Sequence, residues 1–166
     1  AGIPKTPFPD LSWLTSDISR FDLPDRYALL IPGGAVHRPD KRWPAESYRE
    51  IVKSIAAEGV LPLVIGGPDE AELAAEITAD GAAKSLAGET SFADIAELSR
   101  RAAGAVGNDT GPMHIAAICG CPSVVLFSKA SNPDITAPRG DDVTILQREK
   151  LADLGVSEVA EALSLR

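Results

Sequence analysis

Residues 103–127, with the sequence AGAVGNDTGPMHIAAICGCPSVVLF, constrain the fold of this chain more than any other stretch. Apolar residues 103–106 predict a buried strand, which the glycine-rich turn 107–111 ends. Pro112 suits a first helical position, because its missing N–H would have no intrahelical partner there. A short, largely buried helix is predicted next, and residues 123–127 predict a second buried strand. The unit is therefore strand, turn, helix and strand.

The turn of this unit lies at a helix N-terminus, where free N–H groups and the positive end of the helix dipole can hold an anion. Gly111 lets a ligand approach the backbone closely, because it has no Cβ. Thr110 suits either a helix cap or a bond to a phosphate oxygen, and Asp109 suits a sugar hydroxyl, a cation or the N–H groups of the turn. A purely structural role, in which Asp109 and Thr110 only cap the helix, stays open at this point, because the string is not a specific phosphate-loop fingerprint.

Strands and helices are predicted to alternate from Tyr27 to the end of the chain. The predicted strands are short apolar runs without polar alternation, which indicates burial on both faces in a parallel sheet. The fold class is therefore α/β, a doubly wound Rossmann-like parallel sheet of about six strands. Ser91 and Asp94 predict a capping box for one helix, and Ser157 is expected to cap the last one.

Residues 1–26 carry four prolines and no clear periodicity. They are predicted to form a linker or approach segment, and residues 27–166 the Rossmann-like domain. Trp13 and Leu14 are expected to pack on a surface, since exposing both would be unfavourable.

Charge and cysteine content exclude several classes of function. The formal net charge is −8, which argues against a nucleic-acid partner because such a surface needs a basic face. Cys119 and Cys121 form a lone C-x-C, and only His37 and His114 could join them, so the spacing of a zinc site is absent. Reduced, structural thiols are predicted. No apolar run is long enough to span a bilayer.

Polar and glycine-rich loops are predicted at the carboxyl edge of the sheet, where such folds bind ligands. The first predicted strand is followed by a cluster of basic and titratable side chains, and these are His37, Arg38, Lys41 and Arg42. Such a cluster in an acidic chain suggests a local anion site. Arg38 and Arg42 also fit a solvated loop, whereas Lys41 lies two residues from Trp43, whose ring could hold the lysine stem. Glu70 fits a first helical turn, and His114 fits either core packing or the anion pocket.

Several strings together carry a family resemblance. They are Pro32-Gly33, Lys41-Arg42-Trp43-Pro44, Gly66-Gly67-Pro68 with Glu70, Leu86-Ala87-Gly88 and the run GNDTGPMHIAA at residues 107–117. The chain resembles the C-terminal half of the ADP-heptose:lipopolysaccharide heptosyltransferase family, inverting glycosyltransferases of GT-B architecture. The resemblance implies one half of a GT-B enzyme that binds a nucleotide-sugar donor, ADP-heptose or ADP, without a required cofactor or metal.

The resemblance also implies roles for individual residues. Lys41 matches the lysine that neutralises the diphosphate, and Thr110 and Gly111 match the N–H donors to it. Glu70 matches the acid that holds the ribose. Asp109 and His114 match positions near the donor sugar and the phosphates.

No catalytic residue is expected in this half. In the family the catalytic aspartate base and the site for the lipid-linked acceptor belong to the N-terminal domain, which is missing here. The family also often carries a hydroxyl residue just after Pro-Gly-Ala, where the run here is Pro32-Gly33-Gly34-Ala35-Val36. The resemblance implies a cytoplasmic protein, either free or peripheral at the inner face of the inner membrane. The alternative is a nucleotide-binding module of the same fold without a transferase role.

Overall fold

The computed structural model describes residues 7–34 and 42–166, which form a doubly wound α/β domain. The strands are β1 (Tyr27–Ile31), β2 (Leu61–Val64), β3 (Lys84–Ser85), β4 (Ala105–Asn108), β5 (Ser123–Ser128) and β6 (Val143–Arg148). The helices are α1 (Ala45–Ala57), α2 (Ala71–Ile77), α3 (Phe92–Arg101), α4 (Gly111–Ile118), α5 (Pro133–Thr136) and α6 (Val156–Ala162). Short 3-10 turns at Ser19–Phe21, Pro68–Glu70 and Leu151–Asp153 join them.

The described strands form one parallel sheet of six, in the order β3-β2-β1-β4-β5-β6, which confirms the predicted fold class. The strand order reverses between β1 and β4, where Ile31 lies opposite Gly107. β1 is buried along its whole length, as a central strand covered on both faces must be. Its side chains alternate between two apolar layers, since Leu30 packs with α1, α2 and α6 and Leu29 packs with α3 and α4.

Residues 7–26 run along the α3 side of the sheet. Ile18 and Phe21 are buried there, and the Arg100 guanidinium donates to the carbonyl oxygens of Leu11 and Leu14. The expectation for Trp13 is wrong, because its side chain is 72% exposed. Its indole N–H donates to the Asp10 carbonyl, so the ring lies against its own turn instead of the domain.

Two local predictions differ from the structure for identifiable reasons. β4 lies two residues later than predicted and includes Gly107 and Asn108. A Cβ on Gly107 would lie 2.6 Å from the Ile31 carbonyl oxygen, so glycine allows β4 to stay paired with β1 where a turn was expected. The cap predicted for the last helix is also wrong, since Gly155 is the N-cap of α6 and Ser157 lies inside the helix.

Candidate functional site

The carboxyl ends of β1 and β4 meet at the point where the strand order reverses, which is the usual ligand crevice of this fold. Asn108, the last residue of β4, is 1% exposed and links these ends. Its amide nitrogen donates to the carbonyl oxygens of Pro32 (2.7 Å) and Gly33 (3.1 Å). Its amide oxygen accepts from the Trp43 N–H and the Tyr48 hydroxyl, both at 3.1 Å. All four hydrogen-bonding positions of the side chain are therefore filled.

Glu70 ties the loop after β1 to the loop after β2. One carboxylate oxygen accepts from the Gly34 N–H at 3.0 Å, and the other accepts from the Gly67 N–H at 2.8 Å. The carboxylate lies so close to both loops that a Cβ on Gly33 or Gly66 would be 2.0 Å or 2.8 Å from its oxygens. The glycines in the Pro-Gly and Gly-Gly-Pro strings therefore make room for this carboxylate.

Arg42 also holds Gly34 in place, because its guanidinium donates to the Gly34 carbonyl oxygen at 2.6 Å. The alternative of a solvated loop arginine is thus wrong for this residue. Trp43 is 1% exposed and donates its indole N–H to the Leu154 carbonyl oxygen, so it is a core residue. Lys41, together with His37 and Arg38, lies outside the described residues.

The N-terminus of α4 lies directly after Asn108 and carries the residues predicted to bind an anion. Gly111 is the first helical residue, and a Cβ placed on it would meet nothing within 4 Å. Thr110 is the N-cap residue, but its side chain makes no capping hydrogen bond. Its hydroxyl oxygen is buried and has no hydrogen-bond partner among the described residues. Asp109 and His114 flank this turn, and both are half-buried.

A mainly apolar cavity of about 370 Å³ opens between the β2 loop and the N-termini of α3 and α4. Its lining residues are Ile65, Gly66, Gly67, Thr90, Ser91, Phe92, Ile95 and Pro112. Gly67 is held by Glu70, and Pro112 directly follows Gly111, so the cavity joins the two parts of the predicted site. The Phe92 ring is 65% exposed at its mouth.

A second cavity, of about 450 Å³, lies at the opposite edge of the sheet, where β1 begins. Asp17, Asp22 and Asp25 line it, with Arg101 as the single basic side chain. Three carboxylates around one guanidinium disfavour a phosphate-bearing ligand. The anion site predicted from the sequence therefore fits the carboxyl edge better than this cavity.

Other chemistry in the described part of the chain is limited. Residues 7–34 and 42–166 hold no group of three or more potential metal ligands, and none of their helices is long and apolar enough to cross a bilayer. Cys119 and Cys121 are free thiols, as predicted. Burial raises the pKa of Cys121 to about 12, which keeps this thiol protonated and unreactive at neutral pH.

Sequence reasoning missed Asn108 and the α3 wall of the cavity. The signal for Asn108 was present, because an amide side chain at the end of an apolar strand has to find partners when it is buried. Phe92 gave no such signal, since its proximity to Pro112 arises only when α3 and α4 pack side by side.

Comparison with known proteins gives a consistent result. The family model of glycosyltransferase family 9 (heptosyltransferase) matches residues 10–162. Lipopolysaccharide heptosyltransferase 2 of Salmonella typhimurium is 32% identical over 120 residues, which cover 69% of this chain and 34% of that protein. The chain thus spans about a third of the length of this relative.

Solved structures show the same partial coverage. The ADP-heptose lipopolysaccharide heptosyltransferase II of E. coli superposes with a TM-score of 0.78 at 29% identity, over 87% of this chain and 47% of that one. A heptosyltransferase of E. coli solved with ADP superposes with a TM-score of 0.74 at 24% identity, over 81% and 42% respectively. The second likeness concerns the fold alone.

Proposed function

We propose, from the premise that this chain belongs to glycosyltransferase family 9 (heptosyltransferase), that it is the donor-binding half of an inverting glycosyltransferase of lipopolysaccharide core synthesis. Its ligand is ADP-heptose or a similar nucleotide sugar, bound at the carboxyl ends of β1, β2 and β4. A solved relative binds ADP, and another is named for ADP-heptose. The observation that carries the proposal is the N-terminus of α4, where a buried hydroxyl that has no partner in residues 7–34 and 42–166 adjoins open space over Gly111.

The diphosphate lies over this helix end. The first N–H groups of a helix have no intrahelical acceptor, so those of α4 are available to phosphate oxygens. The Thr110 hydroxyl donates to the same anion, which would satisfy a group that is otherwise buried at a cost of about 1–3 kcal/mol. Lys41 adds the positive charge. As the sugar–phosphate bond breaks, charge builds on the leaving diphosphate, and donors already in place there stabilise the transition state.

The nucleoside occupies the neighbouring cavity. Its volume of about 370 Å³ and its apolar walls suit a purine base between Phe92 and Pro112. Glu70 borders this cavity through Gly67, and each of its oxygens accepts one backbone N–H while retaining a further lone pair. A ribose hydroxyl donates to that lone pair, so Glu70 both fixes two loops and holds the sugar. Asp109 and His114 lie on the side of the diphosphate and the donor sugar.

The acceptor side belongs to the part of the enzyme outside this chain. Inverting transfer needs an acceptor oxygen in line behind the anomeric carbon and a base within reach of its proton. Asp109 lies beside the helix end that takes the leaving group, which is the wrong side of the sugar for that base. Glu70 holds the ribose in this scheme, which places its carboxylate on the nucleoside side of the diphosphate and away from the acceptor. The lipid-linked acceptor and the base therefore come with the N-terminal domain, and the isolated chain binds donor without transferring sugar.

Titration of the chain with ADP tests the binding step. Half of a cleft supplies only part of the contacts, so a Kd on the order of 0.1–1 mM is expected. Gly111→Val places a side chain where the phosphates approach and abolishes binding with the fold intact. Gly155→Val is the matched control, because it puts the same side chain at the N-cap of α6, where a Cβ meets only the Ser157 hydroxyl at 3.9 Å. Equal ADP binding by Gly111→Val and Gly155→Val would refute the site.

An activity assay tests whether donor binding and acceptor activation belong to different halves of the enzyme. ADP release from ADP-heptose is measured with a truncated lipopolysaccharide acceptor, first with this chain and then with the N-terminal half supplied. Turnover is expected only in the second case. Acceptor-dependent turnover by this chain alone that is lost in Asp109→Asn would show that the base belongs to this half.

A further inference from the structure

We infer that Asn108 is the positioning residue of the donor site, since it fixes the β1 loop against the start of α4 and so sets the width of the crevice between them. The inference rests on the proposed function. Asn108 makes no contact with the ligand in this scheme and acts only through its backbone partners.

The four hydrogen bonds of the Asn108 side chain form two pairs, one made by the amide nitrogen and one by the amide oxygen. The amide nitrogen reaches the carbonyl oxygens of Pro32 and Gly33, which follow β1. The amide oxygen accepts from the Trp43 backbone N–H, which precedes α1, and from the Tyr48 hydroxyl, which lies within α1. Two carbonyls on one side and two donors on the other leave a single orientation for the amide. The first pair spans the crevice, and the second anchors the side chain behind it.

Two further hydrogen bonds hold Gly34, which directly follows the two residues that Asn108 contacts. The Gly34 N–H donates to Glu70, and the Gly34 carbonyl accepts from Arg42. Asn108 adds the only contact in this set that comes from β4, the strand that leads directly into Thr110 and Gly111. Without it, Gly34 stays attached to the β2 side, and only the pairing of Ile31 with Gly107 still fixes the helix end relative to the residues after β1. A diphosphate that contacts both walls then loses its matched pair of partners.

Asn108→Asp tests the inference with an almost isosteric change. A carboxylate keeps the acceptor for Trp43 and Tyr48 but points an oxygen at the two carbonyls, so only the crevice-spanning bonds are lost. ADP affinity of the folded variant is expected to fall by at least about tenfold. Tyr48→Phe removes one anchoring bond and leaves the spanning pair, so it lowers the melting temperature and keeps ADP affinity within about twofold.

A purely structural role makes a different prediction. Val159→Ala truncates a fully buried side chain of α6 and serves as a variant of similarly reduced stability. If Asn108 were only structural, folded Asn108→Asp would bind ADP as well as folded Val159→Ala does, and that result overturns the inference. Asn108→Ser is the second variant, because its shorter hydroxyl adds no charge and reaches neither carbonyl. A loss of ADP affinity that it shares with Asn108→Asp cannot come from repulsion between a carboxylate and the diphosphate, whereas full affinity in folded Asn108→Ser overturns the inference.

Amide hydrogen exchange separates this inference from the proposed function. Exchange at the hydrogen-bonded amides of Gly34 and Met113 is expected to rise more in Asn108→Asp than in Val159→Ala, with no ligand present. If the parent chain fails to bind ADP, the proposed function is refuted while exchange still decides whether Asn108 fixes the crevice. Unchanged exchange at both amides overturns the inference, whatever the chain binds.

Discussion

The N-termini of α3 and α4 line the same cavity, yet only one of them is capped by side chains. α3 begins with a capping box, in which Ser91 and Asp94 bond reciprocally, and Asp94 adds a negative charge to the first turn. α4 has no side-chain cap and no acidic residue in its first turn. The N-terminus of α3 carries an anion from the chain itself, whereas in the proposed scheme the N-terminus of α4 takes an anion from a ligand.

The difference extends to burial and hydrogen bonding. Asp94 is 2% exposed and accepts from Ser16, from the N–H and hydroxyl of Ser91, and from Arg20. The Thr110 hydroxyl is buried but has no partner among the described residues. A helix N-terminus that is capped by side chains of the protein contributes to the stability of the fold, whereas an uncapped N-terminus has N–H groups that can bind a ligand. This contrast can be tested from both sides.

Gly111→Asp should make α4 resemble α3, with the largest expected effect. Its carboxylate enters open space at the first helical residue, where it complements the dipole and raises stability by about 0.5 kcal/mol. The same charge repels the diphosphate, and ADP affinity is expected to fall roughly a hundredfold. Thermal melts and calorimetric titration measure the two effects, which have opposite signs.

Gly111→Asn is the control for shape, because it adds a side chain of the same size without the charge. The difference in ADP affinity between the Asp and Asn variants measures the electrostatic repulsion alone. ADP affinities of both variants that match the affinity of the parent would mean that the phosphates lie away from this helix end.

Asp94→Asn removes the anion that α3 supplies, and it should destabilise the domain by about 2 kcal/mol at neutral pH. Burial alone would raise the pKa of Asp94, but the hydrogen bonds from Ser16, Ser91 and Arg20 outweigh it and hold the pKa well below 3.8. A carboxyl group whose pKa is lower in the folded state than in the unfolded state stabilises the fold at pH values above the unfolded-state pKa. This contribution is lost as the pH falls below about 4. Denaturant melts from pH 6 to pH 2 should therefore show a shallower acid loss in the variant than in the parent.

Asp80→Asn is the matched control for charge removal. Asp80 pairs with Arg49 on the surface, so its loss should cost at most about 1 kcal/mol. ADP affinity should stay within about twofold in both variants. A large affinity loss in Asp94→Asn would show that the α3 end also acts on the ligand.

The fold was largely predictable because its signals are local. β1 begins at Tyr27 and α3 begins with the Ser91–Asp94 capping box, as the sequence predicts, since buried strands lack polar alternation and a capping box marks a helix start. The continuation of β4 through Gly107 was not predictable, because it depends on how closely Ile31 approaches from another strand. Ser157 looked like a cap only because capping residues are also common inside the first turn.

The candidate site was only partly predictable. The position of Thr110 and Gly111 at a helix N-terminus follows from the sequence, and their role as phosphate ligands stays a prediction. The hydrogen bond between Gly34 and Glu70 joins residues 36 apart in the chain, and the hydrogen bond between Asn108 and Pro32 joins residues 76 apart. Such contacts exist only after the strands have assembled, so no local pattern announces them.

Thr110→Val and Ser91→Ala give the smallest effects and the most direct comparison. Thr110→Val replaces a hydroxyl that has no partner in the described part of the chain by a methyl group of similar size, so stability should not fall. Its ADP affinity should fall about fivefold, close to the loss of one hydrogen bond. Ser91→Ala breaks a cap that is formed and should cost about 1 kcal/mol of stability. Its ADP affinity should stay within about twofold although Ser91 lines the cavity, because its hydroxyl is already bonded to Asp94.

Thr110→Ser shows whether the hydroxyl itself is responsible, because it keeps the donor and loses only a methyl group. It should bind ADP like the parent, and thermal melts and titration of all three variants complete the comparison. The two helix ends are distinguished only if stability and affinity respond at different helices. If Thr110→Val instead lowers the melting temperature and leaves affinity unchanged, Thr110 is an ordinary cap in solution, and the anion site at α4 must depend on backbone N–H groups alone.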